Sequence, residues 1–284
     1  MLLAVTAVLA VVVGVTLGLL GGGGSILMVP LLVYVAGLDA KAAIATSLLV
    51  VGVTSAVSVF GHARAGRVRW RTGLIFGAAG MGGALVGGLI GGHLPGQLLM
   101  GAFAVMMVAT AIAMLRGRKA VDASAAHTEL PIGRVLLDGA VVGLVTGLVG
   151  AGGGFLVVPA LALLGGLPMA VAIGTSLLVI AMKSFAGLAG YLATVPIDWA
   201  LTGVVTAAAV VGSLLGARLV ARIPAESLRR GFGWFVLAMG AFVLVQQVPG
   251  DLRLVALAGV AAVGVAMGTC SAFVPRCPLR AARA

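Results

Sequence analysis

Lys183 is the residue in this sequence most suited to chemistry. It stands two to three positions past the middle of an apolar run from about 170 to 191. A lysine at that depth costs about 2.5 to 3.5 kcal/mol on insertion scales, so it ordinarily faces a cavity, where it pairs with an anion or carries a proton. Snorkelling to the interface is the structural alternative. Two Thr-Ser pairs, Thr46-Ser47 and Thr175-Ser176, stand near the starts of apolar runs. Their hydroxyls can donate to an oxyanion, or else back-bond to helix carbonyls and pack as small residues. Each pair follows a glycine-rich turn: Gly22, Gly23, Gly24 and Ser25 in one case, Ala151, Gly152, Gly153 and Gly154 in the other. Free N–H groups where such a turn starts a helix, with the positive dipole end behind them, form an anion site. The competing account is that the glycines only let helices pack closely. The chemistry shared by all three features is reversible binding of a small anion.

Other chemistries find little support. No Asp or Glu lies deep in an apolar run, and Asp138, at the start of the second glycine-bearing segment, reads as a cap or a gate contact. No metal-ligand cluster, His-carboxylate pair or nucleophile motif stands in the apolar runs, and GGGGS lacks the GK[ST] ending of a phosphate-binding loop. The expectation is a protein that is not an enzyme and has no metal or cofactor. Cys270 and Cys277, beside a basic C-terminus, are not expected to form a structural disulfide. The net charge of +11 falls in short clusters between apolar runs, which fits membrane topology and not nucleic-acid binding.

The elements that must position these residues follow from composition. Of 284 residues, 62% are hydrophobic and 9% charged, values that belong to a polytopic membrane protein. The N-terminal run lacks a basic n-region and a small-residue cleavage site, so it is expected to remain. Apolar runs near 41–60, 72–92, 98–115, 170–191, 199–220, 228–247 and 254–274 are long enough for seven crossings. The basic clusters around Arg64 to Arg71, Arg116 to Arg134, Arg218 to Arg230 and Arg276 to Arg283 are expected in the cytoplasm, together with the C-terminus, in a multi-pass inner-membrane protein.

A shift of 129 positions lays GLLGGGGSILMVPLL over GLVGAGGGFLVVPAL and Thr46-Ser47 over Thr175-Ser176. Of the 38 positions from Gly18 to Ser55, 19 are identical, which marks a duplication. The shift also pairs Trp70 with Trp199, Gly83 with Gly212, Gly87 with Gly216, His62 with Tyr191 and Lys183 with Thr54. The arginine-rich loop before Trp70 matches a segment before Trp199 that holds Asp198 and no basic residue, so the two copies are expected to lie in opposite orientations. Each copy then needs a segment that returns to its own side. Residues 3–36 and 135–167 are expected to be helical hairpins that turn at the glycines and return through Pro30 and Pro159. The expected fold is an all-α polytopic membrane protein of two inverted-topology repeats, 1–117 and 134–248. Each is a glycine-broken hairpin plus three transmembrane helices, joined by a cytoplasmic linker at 118–133 and followed by one extra helix and a basic tail in 249–284. Trp70 and Trp199 are expected as interfacial anchors, His62 and Tyr191 at surface or belt positions or in a gate.

The duplicated glycine turn followed by proline, with Ala45-Thr46-Ser47-Leu48 and Gly174-Thr175-Ser176-Leu177, resembles the TauE/SafE family of sulfite and sulfonate exporters over about residues 5 to 272. That resemblance implies a secondary transporter, an exporter of small sulfur-containing anions such as sulfite or organosulfonates. The anion would be held near mid-membrane between the glycine-rich half-helix ends. A passive anion channel, or a carrier of a non-sulfur organic anion, is the alternative. The expected partners are the small anion and the lipid bilayer, with oligomeric state open.

Overall fold

The computed structural model of the chain describes residues 2–20, 23–116, 132–150, 157–158, 161, 167, 169–219 and 225–247. These are helical, with no strand among the described residues: α1 (Leu2–Leu20), a 3-10 turn (Gly23–Leu27), α2 (Met28–Tyr34), α3 (Ala40–Arg64), α4 (Trp70–His93), α5 (Gly96–Arg116), α6 (Ile132–Val149), α7 (Met169–Leu192), α8 (Trp199–Leu219) and α9 (Ala225–Gln246). Four stretches, Ala40–Arg64, Trp70–His93, Val171–Leu192 and Trp199–Arg218, are long and apolar enough to cross a membrane; α1, α2, α5, α6 and α9 contain shorter apolar helices. The expected helix at 254–274, the tail and most of the linker lie outside the described residues.

Local chemistry sets the boundaries. Asp39 caps α3 by accepting from Lys41 N at 3.1 Å, and Asp198 caps α8 by accepting from Ala200 N and Leu201 N, each at 3.0 Å. After α3 the chain turns through Gly66 at φ +67, with Arg67 N donating to His62 O at 2.9 Å. α1 ends at Leu20, before the glycine run, and from Gly23 the chain forms the 3-10 turn and then α2, which carries Pro30 in its first turn. There the missing N–H breaks no helical bond.

Two compact units form. The first comprises residues 1–99 and 123–223, the second residues 100–122 and 224–284. In the second, α9 approaches α5 at Gly240, where an added methyl would lie 3.0 Å from Met107 Cβ.

In the first unit main chain packs against main chain. A methyl added at Gly83 or Gly87 of α4 would fall on the carbonyl oxygens of Ala140 or Leu144 in α6, and one at Gly143 or Gly147 of α6 would fall on those of Gly80 or Ala84 in α4. The shift of 129 reproduces this seam elsewhere: Gly14 and Gly18 of α1 meet Ala209 O and Ser213 O of α8, while Gly212 and Gly216 meet Val11 O and Val15 O. Each seam uses small residues four apart on both helices, the arrangement that lets helix axes approach where the lipid supplies no hydrophobic drive. In both seams residue numbers rise together, so α4 runs parallel to α6 and α1 parallel to α8.

α3 and α7, equivalent under the same shift, pack differently. Leu48 Cδ1 lies 3.4 Å from a methyl position at Gly187, the Phe185 ring 3.2 Å from one at Gly52, and His62 Cβ 3.1 Å from one at Gly174. Numbers rising along α3 meet numbers falling along α7, so these two helices are antiparallel.

Candidate functional site

Lys183 lies on the side of α7 that faces α4. Its side chain is 1% exposed, and its Cδ is 3.7 Å from a methyl position at Gly80, which is itself 3.5 Å from Gly139 O of α6. The amine therefore belongs where α4, α6 and α7 converge, and a glycine at position 80 leaves room for its stem; α3 reaches the same junction one turn on, where a methyl at Gly187 would lie 3.4 Å from Leu48 Cδ1, 3.5 Å from Ala84 O and 3.5 Å from Gly147 Cα. Lys183 Nζ has no hydrogen-bond partner among the described residues. A buried amine ordinarily finds one, because desolvation without a partner costs several kcal/mol. Its counterpart Thr54 is closed, with Oγ1 donating to Val50 O at 2.6 Å.

The Thr-Ser pairs are all buried. Ser47 Oγ donates to Gly150 O at 3.0 Å, joining α3 of the first copy to the end of α6 in the second. Gly150 is the left-handed terminus of α6, at φ +73, with its N–H donating to Thr146 O at 3.0 Å. Thr175 Oγ1 accepts from Arg69 N at 3.0 Å and so ties α7 to the entry of α4, while Ser176 Oγ donates to Ile173 O at 2.7 Å. These three hydroxyls thus have structural bonds, and an anion bound there would have to share or displace them.

The first glycine turn is wedged against α1. A methyl at Gly24 would fall on Leu17 N and lie 2.6 Å from Thr16 Oγ1, and Gly24 and Ser25 are buried; Gly23 opens the turn. Gly22, Ala151, Gly152, Gly153 and Gly154 lie outside the described residues. Val157 and Leu161 join Phe76, Ala172 and Val179 in one apolar cluster, so these two side chains pack against α4 and α7.

Three features differ from the sequence expectation or were absent from it. Tyr191, expected at a surface or belt position, is fully buried, and its hydroxyl donates to Leu148 O at 2.6 Å in the last turn of α6. A tyrosine at a helix end reads alike in one dimension whether it faces lipid headgroups or a neighbouring helix. Asp138 is half-buried and lies in the second turn of α6, one residue from Gly139, so it does not cap that helix. Ser55 and Ser184, which the shift of 129 makes equivalent, are buried with both hydroxyls unpartnered among the described residues. Trp70 and Trp199 are 51% and 63% exposed at the first positions of α4 and α8. Among the described residues no group of three His, Cys, Asp or Glu could hold a metal ion.

Tyr191→Phe tests whether the hydroxyl holds the end of α6. Loss of that bond is expected to cost about 1 to 2 kcal/mol, seen as a lower melting temperature of the detergent-purified protein with its helical circular dichroism unchanged. An unaltered melting temperature would show that the bond contributes nothing.

The family model for the sulfite exporter TauE/SafE matches residues 6–243. A probable membrane transporter protein of Xylella fastidiosa strain 9a5c is 37% identical over 241 residues, covering 82% of this chain and 91% of its own length. A probable membrane transporter protein of Methanocaldococcus jannaschii is 28% identical over 258 residues, 84% of this chain and 95% of that one. Another, from Bacillus subtilis, is 26% identical over 246 residues, 78% and 89% of the two chains. No solved structure matches the chain at a significant level.

Proposed function

From the premise that this chain belongs to the TauE/SafE family of membrane transporters, we propose that it is a secondary transporter exporting a small sulfur-containing anion, sulfite or an organosulfonate, across the inner membrane. The anion binds near mid-membrane between the two glycine-rich turns, Gly22 to Ser25 and Ala151 to Gly154. Thr46, Ser47, Thr175 and Ser176 supply hydroxyls, and Lys183 supplies the compensating charge. The observation that carries this reading is the Lys183 amine, buried and unpartnered among the described residues in the middle of an apolar helix. An anion arriving there offsets the desolvation of both charges, which neither group achieves alone. The bonds from Ser47 to Gly150 and from Arg69 to Thr175 join one copy to the other at predicted binding residues, and to donate to the anion Ser47 gives up its bond to Gly150 O.

Inversion of the two copies accounts for the antiparallel course of α3 and α7, which are equivalent in sequence. The C-terminus is then cytoplasmic. Single cysteines at positions 65 and 194 should label from opposite faces of the membrane, and labelling from one face would end the inverted arrangement.

Counterflow in proteoliposomes decides between carrier and channel. Unlabelled sulfite inside, under anaerobic conditions, is expected to accelerate entry of labelled sulfite. Flux without such trans-stimulation would identify a passive anion channel. Counterflow of a carboxylate and of no sulfur anion would replace the substrate class.

A further inference from the structure

We propose that Ser55 and Ser184, together with Lys183, form the subsite that holds the head group of the transported anion, at the crossing of α3 and α7; this rests on the anion-transporter reading above. The two serines are equivalent under the shift of 129, are 0% and 1% exposed, and leave their hydroxyls unpartnered among the described residues. Two matched, unmet hydroxyls are unusual for a sequence that otherwise closes them. Thr54, Ser58, Thr146 and Ser213 all donate to carbonyls of their own helices, the usual resolution for a hydroxyl in an apolar helix.

The contacts of Leu48 with Gly187, Gly52 with Phe185 and His62 with Gly174 fix where the helices cross. Carried along both helices, they put the midpoint beside Thr54 and Lys183, which are themselves equivalent positions. Ser55 and Ser184 thus lie just past the midpoint on either side, separated along the axes by about 4 to 5 Å at 1.5 Å per residue. Lys183 shares a turn with Ser184. Among the described residues of α3, α4 and α6 the acid is Asp138 of α6, beside Gly139, and Lys183 Nζ makes no hydrogen bond to it.

An amine and two hydroxyls from opposed helices make a three-cornered set of donors. A pyramidal sulfite or sulfonate head presents three oxygens, one for each. A planar carboxylate has lone pairs for three donors but directs them within one plane, so it meets a three-cornered donor set with poorer geometry.

The test uses the full chain purified in detergent, with sodium sulfite, sodium methanesulfonate and sodium acetate as probes at matched ionic strength. Wild type is expected to be thermally stabilised by the two sulfur anions and not by acetate. Ser55→Ala and Ser184→Ala are each expected to weaken sulfite binding roughly tenfold or more. Because each removes an unmet hydroxyl, the ligand-free melting temperature should hold or rise. Wild-type affinity in both alanine variants would overturn this subsite and leave the transporter reading standing. A lower ligand-free melting temperature with unchanged affinity would assign the serines a structural role instead. Stabilisation of wild type by acetate alone would overturn the head-group class, and stabilisation by none of the three probes would overturn both proposals.

Discussion

Lys183→Met is expected to abolish transport, lowering the initial rate of counterflow by a hundredfold or more (on the order of 3 kcal/mol), while the protein remains folded. The two parts of this result have separate causes. Methionine keeps the length of the stem beside Gly80 and fills the same space. It removes an amine that has no partner among the described residues, so the ligand-free protein should melt no lower than wild type and should run as one symmetric peak on gel filtration. Without the amine, an anion entering the site is desolvated with no opposite charge to meet it. Normal counterflow by the methionine variant would show that the lysine is a passenger, and a variant that fails to fold would show that the amine holds the bundle together.

The second large effect concerns packing. Gly83→Leu should prevent stable assembly, whereas Gly82→Leu, one residue away, should be tolerated. At Gly83 even a single methyl would fall on Ala140 O and lie 2.7 Å from Leu144 N, both main-chain atoms that cannot move aside unless α4 and α6 separate. At Gly82 nothing lies within 4 Å. Separating the seam also loses the contacts at Gly87, Gly143 and Gly147, so a destabilisation of at least 3 to 5 kcal/mol is expected, comparable to severe core disruption. Membrane-fraction yield and a fluorescence size-exclusion profile report it. Equal yields of the two variants would mean that the seam opens without penalty.

Particular residues show what one dimension could reveal. The membrane character and the family follow from features that need no folding to be seen: an apolar composition, and a Thr-Ser pair after a glycine turn, written twice. Lys183 stood out because a charge in an apolar run is visible by contrast. Ser55 and Ser184 did not, since serine is ordinary in such runs and only three-dimensional burial without a partner distinguishes them. The tie from Ser47 to Gly150 spans 103 positions and joins different copies, so nothing in either local segment announces it. Gly83 and Gly212 were matched by the duplication, yet the carbonyl that each meets belongs to a helix from the opposite copy. The misplacement of Tyr191 has the same origin, because its partner Leu148 is 43 positions away.

The two glycine seams carry a mechanical consequence. Where main chain rests on main chain there are no rotamers to exchange and no soft layer to shear, so α4 with α6, and α1 with α8, are stiff girders. The α3–α7 crossing is cushioned by Leu48 and Phe185 instead, and a cushioned joint can pivot. Strain generated when a guest arrives should therefore be relieved by rotation at that pivot, with both girders swinging as intact beams.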